Sequence, residues 1–282
     1  MDPRRVRSFD GTEIVYHVTE APFAGAPCVV LANGLGGTWR AWRGLIDYFR
    51  DRCRFMTWDY RGLHASQRPW PDVAGAYTVE SHALDLQAVL TAERIERASL
   101  VGWSMGVPVA LDASRRRRGL AANLVLINGT FGRPQKTRAL LLALTRRAHR
   151  LASRVTRAAL ARPGAGPCLK RLGLVSQTLD DAVLAELASD LGRLDLEAYL
   201  RNVAAIGRHD ASASIASVDV PALIIAGDAD RLTPPSITTE LARRIPGAET
   251  LVVRGGTHCT PIEYPELVAL RIERFWRERG FC

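Results

Sequence analysis

The stretch Ala98-Ser99-Leu100-Val101-Gly102, followed by Trp103-Ser104-Met105-Gly106, decides how this chain folds. Its first five residues read as a buried strand, and a helix is predicted after Ser104. Between them lies the pattern G-x-S-x-G, at the join of strand and helix. A serine hydroxyl is a weak nucleophile, so one that reacts must be exposed and within reach of a base. A sharp strand-to-helix turn exposes it, and flanking glycines let neighbouring backbone approach a strained residue. Pro108 falls in the first helical turn, where its missing N–H costs little. Ser104 is therefore the candidate nucleophile.

Outward from this turn the chain alternates. Val6 to Phe9 and Thr12 to Thr19 read as a hairpin around Asp10-Gly11. Cys28 to Ala32 is a continuous apolar run, the pattern of a strand buried on both faces. The Gly-rich loop Asn33-Gly34-Leu35-Gly36-Gly37 and a helix over Trp39 to Phe49 follow it. Further strands are predicted at Arg54 to Trp58, Asn123 to Ile127, Ala222 to Ala226 and Thr250 to Val253. Helices are predicted at Glu80 to Glu93, Pro235 to Arg244 and Ile262 to Arg279. From Phe131 to about Arg208 the patterns are helical only. Such alternation predicts an α/β fold, a mostly parallel doubly wound sheet of about eight strands with helices on both faces. Residues 1–130 and 209–282 form the expected core. Residues 131–208 form an all-helical cap inserted after the sixth strand, over the strand ends where such sheets place ligands.

A base should lie on the same side as Ser104. His258 follows the last strand in Gly255-Gly256-Thr257-His258, on a loop at a carboxyl end. His17, His82, His149 and His209 read as structural. The imidazole needs an acid to hold its tautomer. The loop after the preceding strand offers Asp228 and Asp230. Asp228 follows the strand almost directly and can turn to brace the loop, whereas Asp230 reaches further out and is favoured.

The order serine, aspartate, histidine on a sheet with an inserted helical block resembles the α/β-hydrolase fold superfamily over nearly the whole chain. Four segments add to the likeness. Asn33-Gly34-Leu35-Gly36-Gly37 is similar to its His-Gly oxyanion loop. Asp59-Tyr60-Arg61-Gly62 with Ser66 is similar to D-x-R-G-x-G-x-S. Gly227 to Pro234 is similar to G-x-x-D-x-x-x-P, with the acid at Asp230. His258, Glu263 and Pro265 match H-x-x-x-x-E-x-P. Asn33 stands where the family has histidine, and His64 where it has a second glycine. Asn33 is expected to brace the oxyanion loop through its amide, and His64 to belong to a surface loop. The resemblance implies catalysis by Ser104, Asp230 and His258, an oxyanion hole from the backbone N–H groups of Leu35 and Met105, and no metal or organic cofactor.

Composition sets the bounds. The chain has 282 residues, 47% apolar and 24% charged, which is the composition of a globular protein. No apolar run approaches the ~20 residues of a spanning helix, and the basic N-terminus has no apolar stretch behind it, so no secretory signal is expected. Five scattered cysteines without Cys-x-x-Cys argue against a zinc site or a disulfide framework and for a cytoplasmic location. Cys259 reads as packing rather than as a reactive thiol.

The net charge of +9 has one source. Phe131 to Leu179 holds eleven Arg or Lys and no acid, leaving 27 basic against 29 acidic residues elsewhere. A basic protein invites a nucleic-acid partner, but no binding motif for one is present, and none is expected. Arg147, Arg150, Arg154 and Arg157 share one helical face, beside a stripe of Leu141, Leu144, Ala148, Leu151 and Val155. The plain expectation is a lid helix with its arginines in water. The alternative is weak association of the basic cap with an anionic lipid surface.

The expected function is hydrolysis of a small-molecule carboxylic ester with an apolar part, through an acyl-enzyme. Leu140, Leu141 and Leu144 of the cap, with Trp103, are the pocket candidates. The same triad also serves C–C bond, thioester and lactone hydrolysis and perhydrolysis, and the fold carries non-catalytic receptors. Dehalogenase and epoxide hydrolase chemistry needs a carboxylate where Ser104 stands.

Overall fold

Strands β3 (Cys28–Ala32), β5 (Ala98–Trp103) and β7 (Ala222–Gly227) are buried at every position, because helices cover both faces of the sheet they share. The computed structural model describes residues 1–132, 170–171, 175–212 and 215–282. The remaining strands are β1 (Asp2–Arg7), β2 (Glu13–Val18), β4 (Arg54–Trp58), β6 (Ala121–Ile127) and β8 (Glu249–Val253). All eight join one sheet in the order β1-β2-β4-β3-β5-β6-β7-β8. The β1–β2 and β2–β4 pairs are antiparallel and the rest are parallel. The edge strand β1 is exposed and carries Arg4, Arg5 and Arg7, charges that discourage pairing with another sheet.

Side chains divide between the faces with period two. Val29, Leu31, Val101, Val125, Ile127, Leu223 and Ile225 pack with Trp42 and Phe49 near α1 (Arg43–Phe49) and with Phe275 and Trp276 of the last helix (Pro265–Arg277). Val30, Leu100, Leu124, Leu126 and Ile224 pack on the other side with α2 (Val79–Ala92), α3 (Gly106–Arg116) and Leu241 of the helix Pro235–Arg244.

Several boundaries differ from the sequence reading, β1 most of all, which runs Asp2–Arg7 instead of Val6 to Phe9. The hairpin turn is larger than Asp10-Gly11. Strand β1 ends at Arg7, the N–H of Ser8 donates to the carbonyl of Thr12 at 2.8 Å, and Gly11 takes φ +83°. The helix over Trp39 to Phe49 begins as a 3₁₀ turn, Trp39–Trp42, capped by the Thr38 hydroxyl. The last helix is two helices, Thr260–Glu263 and Pro265–Arg277. Pro265 has no N–H to continue a helix, and it forces Tyr264 out of helical geometry.

Among the described residues between β6 and β7, the helices α4 (Asp181–Gly192) and α5 (Leu196–Ile206) lie against the loops that leave β3 and β4. Asp190 of α4 accepts from the Thr38 hydroxyl at 2.8 Å. Leu191, Leu194 and Tyr199 press on Gly36, and Ala198 presses on Gly62. The segment bearing Arg147, Arg150, Arg154 and Arg157, with Leu140, Leu141 and Leu144, lies outside the described residues.

The D-x-R-G match proves to be a buried knot. The Arg61 guanidinium has no exposure, and it donates to both Asp85 oxygens at 2.9 and 2.6 Å, to Asp10 at 2.8 Å and to the carbonyl of Ala76 at 2.7 Å. A buried cation needs partners of this number and geometry to offset its desolvation. Ser66 donates its hydroxyl to the Asp59 carbonyl at 2.7 Å and accepts the Val15 N–H at 2.9 Å, tying the loop to β2.

His82 is fully buried, and its Nε2 donates to Asn202 Oδ1 of α5 at 2.6 Å. Burial, with the nearby Arg61 cation, pushes its imidazole down to about 3. The unfolded chain takes up this proton near pH 6.5 and the folded one does not, so stability falls as pH drops from about 6.5 toward 3. His82→Gln should therefore lose its stability deficit relative to wild type on acidification. The difference should shrink by about 1.4 kcal/mol per pH unit below 6.5. Urea unfolding at pH 7, 6 and 5 measures it, and a constant difference contradicts the assignment.

Candidate active site

Ser104 sits at the carboxyl end of β5 with φ +55°, the left-handed conformation of a sharp turn. Its N–H donates to the Ile127 carbonyl at 2.9 Å, anchoring the turn to β6. The two glycines are required by space. A Cβ on Gly106 would stand 2.0 Å from the Ala32 carbonyl oxygen, and one on Gly102 would stand 2.4 Å from the Gly106 carbonyl oxygen. The turn therefore packs directly on β3, which brings Ser104 beside the loop that leaves that strand.

Asp230 and His258 meet Ser104 from the loops after β7 and β8. His258 Nε2 lies 2.8 Å from Ser104 Oγ, and His258 Nδ1 lies 2.9 Å from Asp230 Oδ2. A carboxylate only accepts, so Nδ1 carries the proton and Nε2 is left to accept from the serine hydroxyl. The Asp230 side chain has no exposure. Its Oδ1 accepts the N–H groups of Leu232 at 2.8 Å and Thr233 at 2.9 Å. Its Oδ2 faces the Thr233 hydroxyl at 2.6 Å as well as His258. Asp228 is exposed and accepts the Gly255 N–H at 2.7 Å, bracing the histidine loop from outside.

The two expected oxyanion donors flank this group. Met105 follows Ser104 directly, and Leu35 lies in the loop after β3, which pairs with β5 at Ala32 and Gly102. Among the described residues, neither N–H has a backbone acceptor. Asn33 braces that loop as expected. Its Nδ2 donates to the Trp58 carbonyl at 3.0 Å, and its Oδ1 accepts from Trp42 Nε1 at 2.7 Å. His64, read as a surface-loop residue, is half-buried at φ +51° with Nε2 3.1 Å from the Gly36 carbonyl, so it steadies the same loop. Trp103, read as a pocket residue, is buried behind the site. Its ring packs on Gly34, and its Nε1 donates to the His258 carbonyl at 2.7 Å. Cys259 packs beside the last helices, and burial pushes its thiol up to about 12, in keeping with the packing role.

Sequence reasoning missed Asn128, Thr233 and the part played by Glu263. Asn128 is fully buried at φ +46°, just past β6. Its Nδ2 reaches the carbonyls of Thr257 at 2.8 Å and His258 at 3.1 Å and the Thr260 hydroxyl at 2.9 Å. Its Oδ1 accepts the Gly227 N–H at 2.8 Å. One side chain thus ties the acid loop to the histidine loop. The only signal in the sequence was an asparagine directly after a strand, which is common in turns. Glu263 fixes the histidine loop by accepting from the Thr257 N–H at 2.9 Å and the Thr257 hydroxyl at 2.6 Å. Asn128→Ala should lower kcat by roughly tenfold to a hundredfold with little change in KM, because a small misplacement of reacting groups is costly. It should also destabilise the fold by about 1–3 kcal/mol through unpaired buried groups. Unaltered kcat in a folded variant contradicts this.

Among the described residues, no three His, Cys, Asp or Glu side chains converge to hold a metal ion, and no helix is long and apolar enough to cross a membrane.

A sequence-family model described as the alpha/beta hydrolase fold matches residues 27–265. The chain belongs to that family. A relative named "Putative carbamate hydrolase RutD" from Agrobacterium fabrum is 27% identical over 275 aligned residues, covering 89% of this chain and 94% of that one. One of the same name from Klebsiella pneumoniae is 28% identical over 254, covering 86% and 88%. In structure, the chain is similar to an enol-lactonase from Burkholderia xenovorans, with TM-score 0.82, 24% identity and coverage of 97% and 100%. It is similar also to a hydrolase from Pseudomonas aeruginosa, with TM-score 0.82, 22% identity and coverage of 97% and 98%. At these identities the structural likeness speaks for the fold. The α/β hydrolase reading and the mostly parallel eight-stranded sheet are thus both established, and the chain is a member of a hydrolase family.

Proposed function

We propose that the protein is a serine hydrolase that cleaves a carboxylic ester with an apolar part, through an acyl-enzyme on Ser104. The observation that carries this reading is the unbroken relay from Asp230 through His258 to a half-buried serine at the tip of a strand-to-helix turn. In this reading Ser104 Oγ attacks the carbonyl carbon while His258 Nε2 takes its proton. The tetrahedral oxyanion is met by the Leu35 and Met105 N–H groups, each worth about 3–4 kcal/mol to the transition state. His258 then protonates the leaving alkoxide, and water activated by the same imidazole releases the acid. Asp230 holds the imidazole and stabilises its cation. Leu191, Leu194 and Tyr199, which crowd Gly36 beside Leu35, support an apolar substrate. The free thiols among the described residues support a cytoplasmic setting.

A second reading, carbamate cleavage, draws on the name that the curated relatives share over most of their length. It uses the same attack on a carbonyl made less electrophilic by the adjacent nitrogen. The two are separated by kcat/KM for p-nitrophenyl esters of increasing acyl length, set beside a carbamate. Ester turnover that rises with acyl length, together with labelling by a serine-directed fluorophosphonate, is expected. Preference for the carbamate favours the second reading, and absence of both turnover and labelling refutes both.

A further inference from the structure

Cys53 and Cys282 are separated by 229 positions in sequence, yet their sulfurs lie 3.2 Å apart. Cys53 sits in the turn between α1 and β4, fully buried, with its N–H donating to the Phe49 carbonyl at 3.0 Å. Cys282 follows the last helix. The Phe281 N–H donates to the Trp276 carbonyl at 3.0 Å, and the Phe281 ring packs on Trp276 with centroids 5.2 Å apart. Trp276 in turn packs on Phe49 at 4.8 Å. One aromatic stack therefore runs between the segments that carry the two cysteines, with Phe49 and Trp276 fully buried.

We propose that Cys53 and Cys282 form a redox modification site that closes to a disulfide when a peroxide oxidises Cys282. Cys282 is partly exposed and Cys53 is not, so the oxidant meets Cys282 first. The S–H of Cys53 and the nearby Arg52 guanidinium hold the Cys282 thiol below the usual cysteine range, which favours its thiolate. Burial pushes Cys28 and Cys259 up to about 12, so they are poor competitors. The Cys282 thiolate attacks one peroxide oxygen, the O–O bond breaks, and hydroxide leaves and is protonated to water, giving a sulfenic acid. Cys53 then attacks that sulfur, the S–O bond breaks, and the Cys53 proton leaves with the hydroxyl as water. Two thiols give up two electrons, and one hydrogen peroxide becomes two waters. The bond clamps the end of the helix that follows the histidine loop onto the turn after α1.

The test uses the full chain, first reduced, then freed of reductant and treated with hydrogen peroxide. Thiols titrated under denaturing conditions should fall from five to three. Mass spectrometry of an unreduced digest should show the peptide containing Cys53 joined to the one containing Cys282. The oxidised protein should melt about 5 °C or more above the reduced one, because the bond closes a long loop in the unfolded chain. Cys282→Ser should keep all four of its thiols under the same treatment. Cys53→Ser should accumulate a dimedone-reactive sulfenic acid at Cys282. Five thiols surviving in the wild type, Cys282 joined to a different cysteine, or Cys282 passing to the sulfinic acid while Cys53 stays free would each overturn the proposal.

Discussion

Ser104→Ala is expected to abolish fluorophosphonate labelling and to lower ester turnover by roughly 10⁴–10⁶-fold. The loss is large because the side chains of the relay act as one unit. Without the hydroxyl, His258 has no proton to accept and no acyl-enzyme forms. Stability should change little, because the Ser104 N–H still donates to Ile127 and alanine keeps the Cβ at the same φ. A far-ultraviolet spectrum and melting curve matching wild type would place the loss in the chemistry. Labelling that persists at another serine, or turnover that survives in the folded variant, removes Ser104 from the role.

Asp230→Asn is expected to lower kcat by up to about 10⁴-fold while Asp228→Asn changes it little. The contacts of Asp230 make the reason specific. Its Oδ1 receives two fixed backbone N–H groups, from Leu232 and Thr233, so an asparagine must place its carbonyl oxygen there. The amide NH₂ then occupies the Oδ2 position and points at His258 Nδ1, 2.9 Å away. Two donors cannot face each other, so the imidazole moves its proton to Nε2 and loses the lone pair that served Ser104. At position 228 an asparagine oxygen still accepts the Gly255 N–H, and the site is exposed, so the effect on stability should stay within about 0.5 kcal/mol. The comparison is made by kcat on purified variants with matching melting curves. A greater loss from Asp228→Asn reverses the assignment.

Much of the architecture was legible because it rests on local rules. Fully apolar five-residue runs such as Cys28 to Ala32 and Ala222 to Ala226 read as strands covered on both faces, and they are. Gly102 and Gly106 around Ser104 marked a turn that tolerates no Cβ, and the contacts with Ala32 and Gly106 carbonyls show why. The convergence of Ser104, Asp230 and His258 was legible too, since a parallel sheet sends every strand-following loop to the same end.

Other features depend on neighbours that are distant in sequence. Loop reach and spacing favoured Asp230 over Asp228, but the contacts that hold it were not legible. Leu232, Thr233 and His258 close around one carboxylate while Gly255 takes the other. Trp103, beside Ser104 in sequence, was a pocket candidate. The register of β5 instead turns it into the face shared with Trp42, where its indole N–H holds the His258 carbonyl. Asn128 carries no motif, and its importance comes from standing where the loops after β6, β7 and β8 converge. Cys53 and Cys282 read as scattered thiols because 229 residues separate them. The sequence by itself determined the order of strands and helices, the serine turn and the end of the sheet where chemistry belongs, because hydrophobic period and glycine sterics act within a few residues. Only the tertiary structure decided what encloses the Asp230 carboxylate, what braces the loops and which thiols meet, because those outcomes are set by donors and acceptors that the chain brings together only after the sheet has formed.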